Sequence, residues 1–74
     1  MKYDIYRGTE KDMEESGGVL LHKKYRKYHV FSFCKRHGID EAAFLNGDYV
    51  TDENGFGYWL EESRGVGAYY PANP

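Results

Sequence analysis

Asn54-Gly55, set between Tyr49-Val50-Thr51 and Tyr58-Trp59-Leu60, narrows the fold of this chain more than any other pair of residues. Both central positions of a two-residue type I′ turn need positive φ, and Asn-Gly supplies it at least cost. Counting outward from that turn pairs Thr51 with Tyr58, Val50 with Trp59 and Tyr49 with Leu60. One face of the expected hairpin, spanning 49 to 61, carries Tyr49, Phe56, Tyr58 and Leu60, and the other carries Val50 and Trp59. An aromatic sheet face of this kind has to be covered by another apolar layer.

The cover is legible upstream. Val30, Phe33, Cys34 and His37 fall at i, i+3, i+4 and i+7, the stripe of a helix over about 29–37. Gly38 is suited to end it, Ile39 to fold back on its last turn, and Asp40 to cap a second short helix over about 41–46 that Gly47 stops. Before that, residues 2–7 alternate as a strand, and Thr9 with Asp12 has capping-box spacing for one or two acidic helical turns. Residues 19–25 favour a strand, with the join to the helix somewhere in 26–29. The expected fold is α+β: a small antiparallel sheet of three or four strands packed on one or two short helices. Residues 1–62 form the single compact domain, and 63–74, with two glycines and two prolines, form a loop or extended tail.

A chain of 74 residues has room for one core, since domains this small bury only roughly 60 to 65% of their unfolded surface. Cys34 is alone, so no intrachain disulfide can help, and the 18% of aromatic residues must carry the packing. No apolar run follows Lys2, so no signal peptide is expected. The longest apolar stretch, VFSFC, is far short of the about 18 residues a membrane span needs. These features read as a soluble, cytoplasmic protein without a membrane partner.

Charge is distributed unevenly. Residues 1–15 are net -2, residues 16–37 hold six cations and no carboxylate, and residues 38–74 are net -6. The central block also holds Tyr25, Tyr28, Phe31 and Phe33. Lys23, Lys24, Arg26, Lys27, Lys35 and Arg36 could neutralise phosphates while Tyr25, Tyr28 or Phe31 stacks on unpaired bases. Equally, the cations could face the acids of 38–62, within one subunit or across a homodimer. A pI near 5.9 is far from that of a dedicated nucleic-acid binder.

Other motifs are incomplete. Residues 28–47 have the turn glycine and small residue of a helix-turn-helix, yet the would-be reading helix is short, acidic and lacks a base-reading Arg, Lys or Gln. Gly55-Phe56-Gly57-Tyr58 resembles part of the aromatic strand motif of RNA-recognition and cold-shock domains. Asn54 stands where that motif has a cation and Glu61 where it has an aromatic, and fourteen residues follow Leu60, too few to complete an RNA-recognition fold. His29, Cys34 and His37 do not form a metal set, because on a helix His29 projects roughly 80° from His37 and 140° from Cys34. Adjacent carboxylates such as Glu61-Glu62 do not share a face, and no glycine is followed by the Lys-Ser/Thr of a phosphate loop. No cofactor and no catalytic set is expected, and Cys34 beside His37 is the sole anchor for an enzyme.

The expected function is therefore a non-enzymatic binding module docking on a protein partner, as an inhibitor or adaptor of phage or mobile-element type. Its expected contacts are Tyr25, Arg26, Tyr28, Tyr69 and Tyr70, since tyrosine and arginine are enriched among interface hot spots. The alternative is nucleic-acid binding through Lys23, Lys24, Tyr25, Arg26, Lys27 and Tyr28, with Phe56 and Tyr58 as a second stacking surface.

Overall fold

The computed structural model describes residues 1–63; the expected tail, Ser63 apart, and with it Tyr69 and Tyr70, lies outside the described residues. The elements are β1 (Tyr3–Arg7), α1 (Glu10–Glu14), β2 (Val19–Tyr25), α2 (Lys27–His37), α3 (Glu41–Leu45), β3 (Val50–Thr51) and β4 (Gly57–Glu62). The four strands make one antiparallel sheet in the order β2-β1-β4-β3. This is the α+β arrangement expected, with the acidic turn as a third short helix. Among the described residues no helix is long and apolar enough to cross a membrane.

Local chemistry explains the helix ends. Thr9 Oγ1 accepts from the Asp12 amide at 3.0 Å and the Asp12 carboxylate accepts from the Thr9 amide at 2.9 Å, a reciprocal box that starts α1. Gly38 adopts the left-handed conformation, φ 69°, and turns the chain so that Ile39 is buried against the core. Asp40 then accepts from the Ala42 amide and opens α3. The start of α2 was harder to read because Arg26, its N-cap, has no oxygen to offer. Here the His29 ring accepts from the Arg26 amide through Nδ1 at 3.2 Å, which lets the helix begin two residues before the expected 29.

The two faces of the sheet are both aromatic. On one, Ile5, Tyr58 and Leu60 meet Val30, Phe33 and Cys34 of α2, Ile39, and Phe44 of α3. On the other, Trp59 is buried between Tyr6, stacked at 5.6 Å, and Tyr49, tilted at 6.4 Å. Gly8 and Gly18, on either side of α1, lie against the Trp59 ring; a side chain at Gly18 would run into it, and one at Gly8 would run into Asp12 first.

The hairpin register departs from expectation by one residue. Val50 pairs with Tyr58 and Thr51 with Gly57, so the expected Thr51-Tyr58, Val50-Trp59 and Tyr49-Leu60 pairs do not form. The cause is Asp52. Its Oδ1 accepts from the amides of Asn54 and Phe56 at 2.9 and 3.0 Å, and the Gly55 amide donates to its carbonyl at 3.0 Å. Only Gly55 in this loop has positive φ, at 87°, so the loop is a three-residue turn closed by a glycine bulge rather than type I′. Because side chains alternate with period two, the slip exchanges the faces of β3: Val50 joins the helix side and Tyr49 joins Trp59.

Candidate functional site

The basic stretch folds into the end of β2 and the whole of α2, and its geometry begins with a distortion. Between the pairs Tyr3-Tyr25 and Ile5-His22, Lys23 and Lys24 stand opposite Asp4 alone, so β2 bulges there. Lys24 takes φ 56°, a conformation that costs a non-glycine residue about 1–2 kcal/mol. Its amide donates to Asp4 Oδ1 at 3.0 Å, which offsets part of that cost. The bulge leaves both lysine side chains exposed and turns the chain into α2.

On α2, Val30, Phe33 and Cys34 are buried and His29 and His37 are half-buried, while Lys27, Tyr28, Phe31, Ser32, Lys35 and Arg36 are exposed. Lys27, Phe31 and Lys35 follow one another at i+4 spacing, so they line one stripe. Tyr28 is 63% and Phe31 38% exposed, large values for aromatic rings, and Lys27 Nζ lies 6.0 Å from the Phe31 ring centre. Among the described residues the Lys/Arg–carboxylate ion pair is Lys11 with Glu15 at 4.0 Å, and His37 Nδ1 lies 3.9 Å from Asp52 Oδ2. None of the six cations from Lys23 to Arg36 takes part, so the acids of 38–62 do not neutralise them within the subunit.

Inward of this face the rings form a continuous chain. Tyr28 meets His29 at 4.2 Å, His29 meets Tyr25 at 4.9 Å, and Tyr25 stacks on His22 at 4.4 Å. His22 meets Phe33 edge-on at 5.7 Å, and Phe33 meets His37 at 4.3 Å. The sequence-derived contact residues Lys23, Lys24, Tyr25, Arg26, Lys27 and Tyr28 are thus brought together at one corner, with Tyr25 half-buried as a support. Phe56 and Tyr58 are not brought together. Phe56 is exposed on the hairpin under the Arg7 guanidinium, 5.5 Å from its ring centre, whereas Tyr58 is buried on the helix side and has no open face for a base. Expecting them on one surface overlooked the bulge at Gly55, which takes Phe56 out of the strand.

Sequence reasoning also missed the cluster of Asp52, Tyr58 and His37, which depends on the observed register. Tyr58 Oη donates to Asp52 Oδ2 at 2.8 Å, and His37 Nδ1 lies 3.9 Å from the same oxygen. Burial alone would raise the Asp52 carboxyl, but the hydrogen bonds from Tyr58, Phe56 and Asn54, with His37 beside it, outweigh burial and hold it below its ordinary value. Burial, then the hydrogen bond and charge of Asp52, push the Tyr58 phenol up. His22 is pushed down by burial first and then by Arg36 and His37.

These directions define a pH dependence of folding. The fold favours neutral His22, so stability is full above the unfolded value of 6.5 and falls as pH drops through the depressed folded value. Asp52 adds stability above 3.8 that is lost as pH falls further. Tyr58, raised, favours the fold until pH climbs from 10.0 through its folded value. Urea midpoints measured across pH should form a plateau from about 6.5 to 9, with losses on both sides, because burial raises the Cys34 thiol from 9.0 to about 11 and its contribution is lost first on the alkaline side. In His22→Phe the loss that begins near 6.5 should disappear while the one below 3.8 remains. An unchanged acid limb in that variant would contradict the assignment.

Cys34, the sole nucleophile considered, is buried in the core. Burial, with Glu41 and Asp40 adding to it, pushes its thiol up to about 11, so it supplies almost no thiolate at neutral pH. Iodoacetamide at pH 7.5 should modify native Cys34 on the order of a hundredfold more slowly than a free cysteine, and at the normal rate in urea. Fast modification of the native protein would restore the nucleophile. Among the described residues no group of three or more His, Cys, Asp or Glu side chains is arranged to hold a metal ion. No protein-family model matches the chain, and no curated protein or solved structure matches it.

Proposed function

We propose that this chain is a non-enzymatic binding module that docks through the outer face of α2 on an acidic surface of a partner protein, as an inhibitor or adaptor does. The observation that carries the reading is the exposure of Tyr28 and Phe31 among Lys27, Lys35 and Arg36, none of which has a carboxylate partner among the described residues. Aromatic rings at the centre of a contact supply most of its affinity, and charges at the rim steer and orient it. The face is the convex side of a helix rather than a cleft, which suits docking better than catalysis.

Nucleic-acid binding is the second reading, favoured by one feature. Tyr28 ends a chain of contacting rings with Lys23, Lys24, Arg26 and Lys27 close in the sequence, and a nucleobase could stack on its exposed ring.

A photo-crosslinking residue at Ser32 tests both. The expected product is a covalent adduct to an acidic protein, insensitive to nuclease. Tyr28→Ala and Phe31→Ala should each lower its yield by a factor of about thirty, the effect of losing a hot-spot side chain. Nuclease-sensitive adducts, or yields unaffected by both variants, would overturn the reading. Fluorescence of Trp59 is no substitute, because that ring is buried on the far face of the sheet. Oligonucleotide binding is better followed by the anisotropy of a labelled strand.

A further inference from the structure

The outer edge of β2 is a second surface, independent of the exposed face of α2. Among the described residues the sheet order leaves β2 hydrogen-bonded to β1 alone, while the opposite edge, β3, is two residues long. A seven-residue strand at an edge presents unpaired amides and carbonyls that can template another strand. The bulge at Lys23 and Lys24 marks where that edge ends, because the Lys24 amide is already committed to Asp4, and a second register shift, between Ile5 and Tyr6, leaves Leu21 as an extra residue within it. The usable stretch is residues 19–23.

Two features of this stretch select a ligand. Val19 is 56% and Leu20 41% exposed, adjacent apolar side chains on a strand where solvent-facing edges usually carry charge. Lys23 follows on the same edge, and Arg36 of α2 lies 6.0 Å from the centre of the Phe33 ring that His22 of β2 meets edge-on, yet neither cation has a carboxylate partner among the described residues. We infer that residues 19–23 accept an extended, acidic peptide strand from a partner protein, which pairs with the edge as a fifth strand. Its backbone would satisfy the free amides and carbonyls, apolar side chains would cover Val19 and Leu20, and carboxylates would meet Lys23 and Arg36.

The other candidates for the edge lack the right charge. A second copy of β2 brings Lys23 and Lys24 and no carboxylate, and residues 64–74 contain Arg64 and no acidic side chain. A nucleic-acid strand has no amide ladder to offer.

The test uses the full chain, isotopically labelled, and three blocked nine-residue peptides. One has two adjacent valines, to meet Val19 and Leu20 on their opposite faces, followed by glutamates, one has lysines in place of the glutamates, and one is the acidic peptide N-methylated at alternate backbone amides. With the acidic peptide at about ten times its Kd, outward amides within 19–23 should exchange roughly tenfold more slowly. The lysine and N-methylated peptides should give no protection. Leu20→Lys and Lys23→Glu, checked for an unchanged thermal midpoint, should each weaken the acidic peptide about tenfold, whereas Tyr28→Ala and Phe31→Ala should leave it unaffected. Absence of protection at millimolar peptide, or binding that survives N-methylation, would overturn strand addition and leave the α2 docking face standing. Protection confined to α2 would also overturn it. Loss of the Ser32 adduct in Tyr28→Ala bears on the α2 face alone, so the two readings fail separately.

Discussion

Replacing Phe33 by alanine is expected to abolish the cooperative unfolding transition at 25 °C. The ring is 1% exposed and sits where every layer of the main core meets. It stands edge-on to Tyr58 of β4 at 5.3 Å, stacks on Phe44 of α3 at 6.0 Å, and touches His22 of β2 and His37 of its own helix. Truncating a buried phenylalanine costs about 3–5 kcal/mol, because the surrounding side chains collapse only partly into the space. A domain of 74 residues without a disulfide has little more than that in hand. Near-ultraviolet circular dichroism should lose its aromatic signal while the far-ultraviolet spectrum keeps part of its helix, and urea should give a broad, sloping curve. Phe31→Ala, two residues away on the exposed face, should shift the midpoint by no more than about 0.5 kcal/mol. A cooperative Phe33→Ala variant within 1 kcal/mol or so of the parent would mean that the core is organised around another side chain.

The second large effect lies on the opposite face. Gly57, first residue of β4, is crossed by the Tyr49 side chain, whose hydroxyl donates to the Gly8 carbonyl at 2.9 Å. A methyl group at 57 would occupy the position of that hydroxyl and would also come within 2.6 Å of the Gly8 carbonyl oxygen. Tyr49 would have to leave, giving up the hydrogen bond and its contact with Trp59, and the chain at Gly8, which donates its amide to the Gly57 carbonyl, would be pushed aside. Gly57→Ala should therefore destabilise by about 3 kcal/mol, combining overpacking with the loss of a part-buried hydrogen bond. Thermal melts of Gly57→Ala, Tyr49→Ala and the double variant form the decisive cycle. Once Tyr49 is gone, the added methyl should cost at least about 1 kcal/mol less, the signature of two groups competing for one place. Strict additivity would show that the clash is relieved elsewhere.

The candidate site was legible in part, and the part follows from distance along the chain. The run from Lys23 to Tyr28 could be picked out because cations and rings are neighbours in sequence, and the fold keeps them neighbours at the junction of β2 and α2. Whether those cations would be neutralised was not legible. Seven carboxylates follow them in the chain, and only the path of the backbone through α3 and the hairpin leaves none within ion-pairing distance. The exposed edge of β2 was hidden for the same reason, since a strand does not announce whether a second neighbour will pair with it.

By itself the sequence determined the interactions that close within a few residues: the Thr9-Asp12 box, the left-handed Gly38, the Asp40 cap and the helical stripe from Val30 to His37. Each is settled by groups two to seven residues apart, whose geometry a helix or turn imposes wherever it forms. Tertiary structure decided the rest. Tyr58, by bonding Asp52, holds the carboxylate that makes Asn54-Gly55 a three-residue bulged loop, and so it sets which face of β3 meets the helices. Asp4, twenty positions from Lys24, catches that amide and bends β2 into α2. Trp59 gains its cover from Tyr6, Tyr49 and the glycines beside α1. At Asp52 and Trp59 a local preference gives way to a buried polar or aromatic group, whose unsatisfied state would cost several times more.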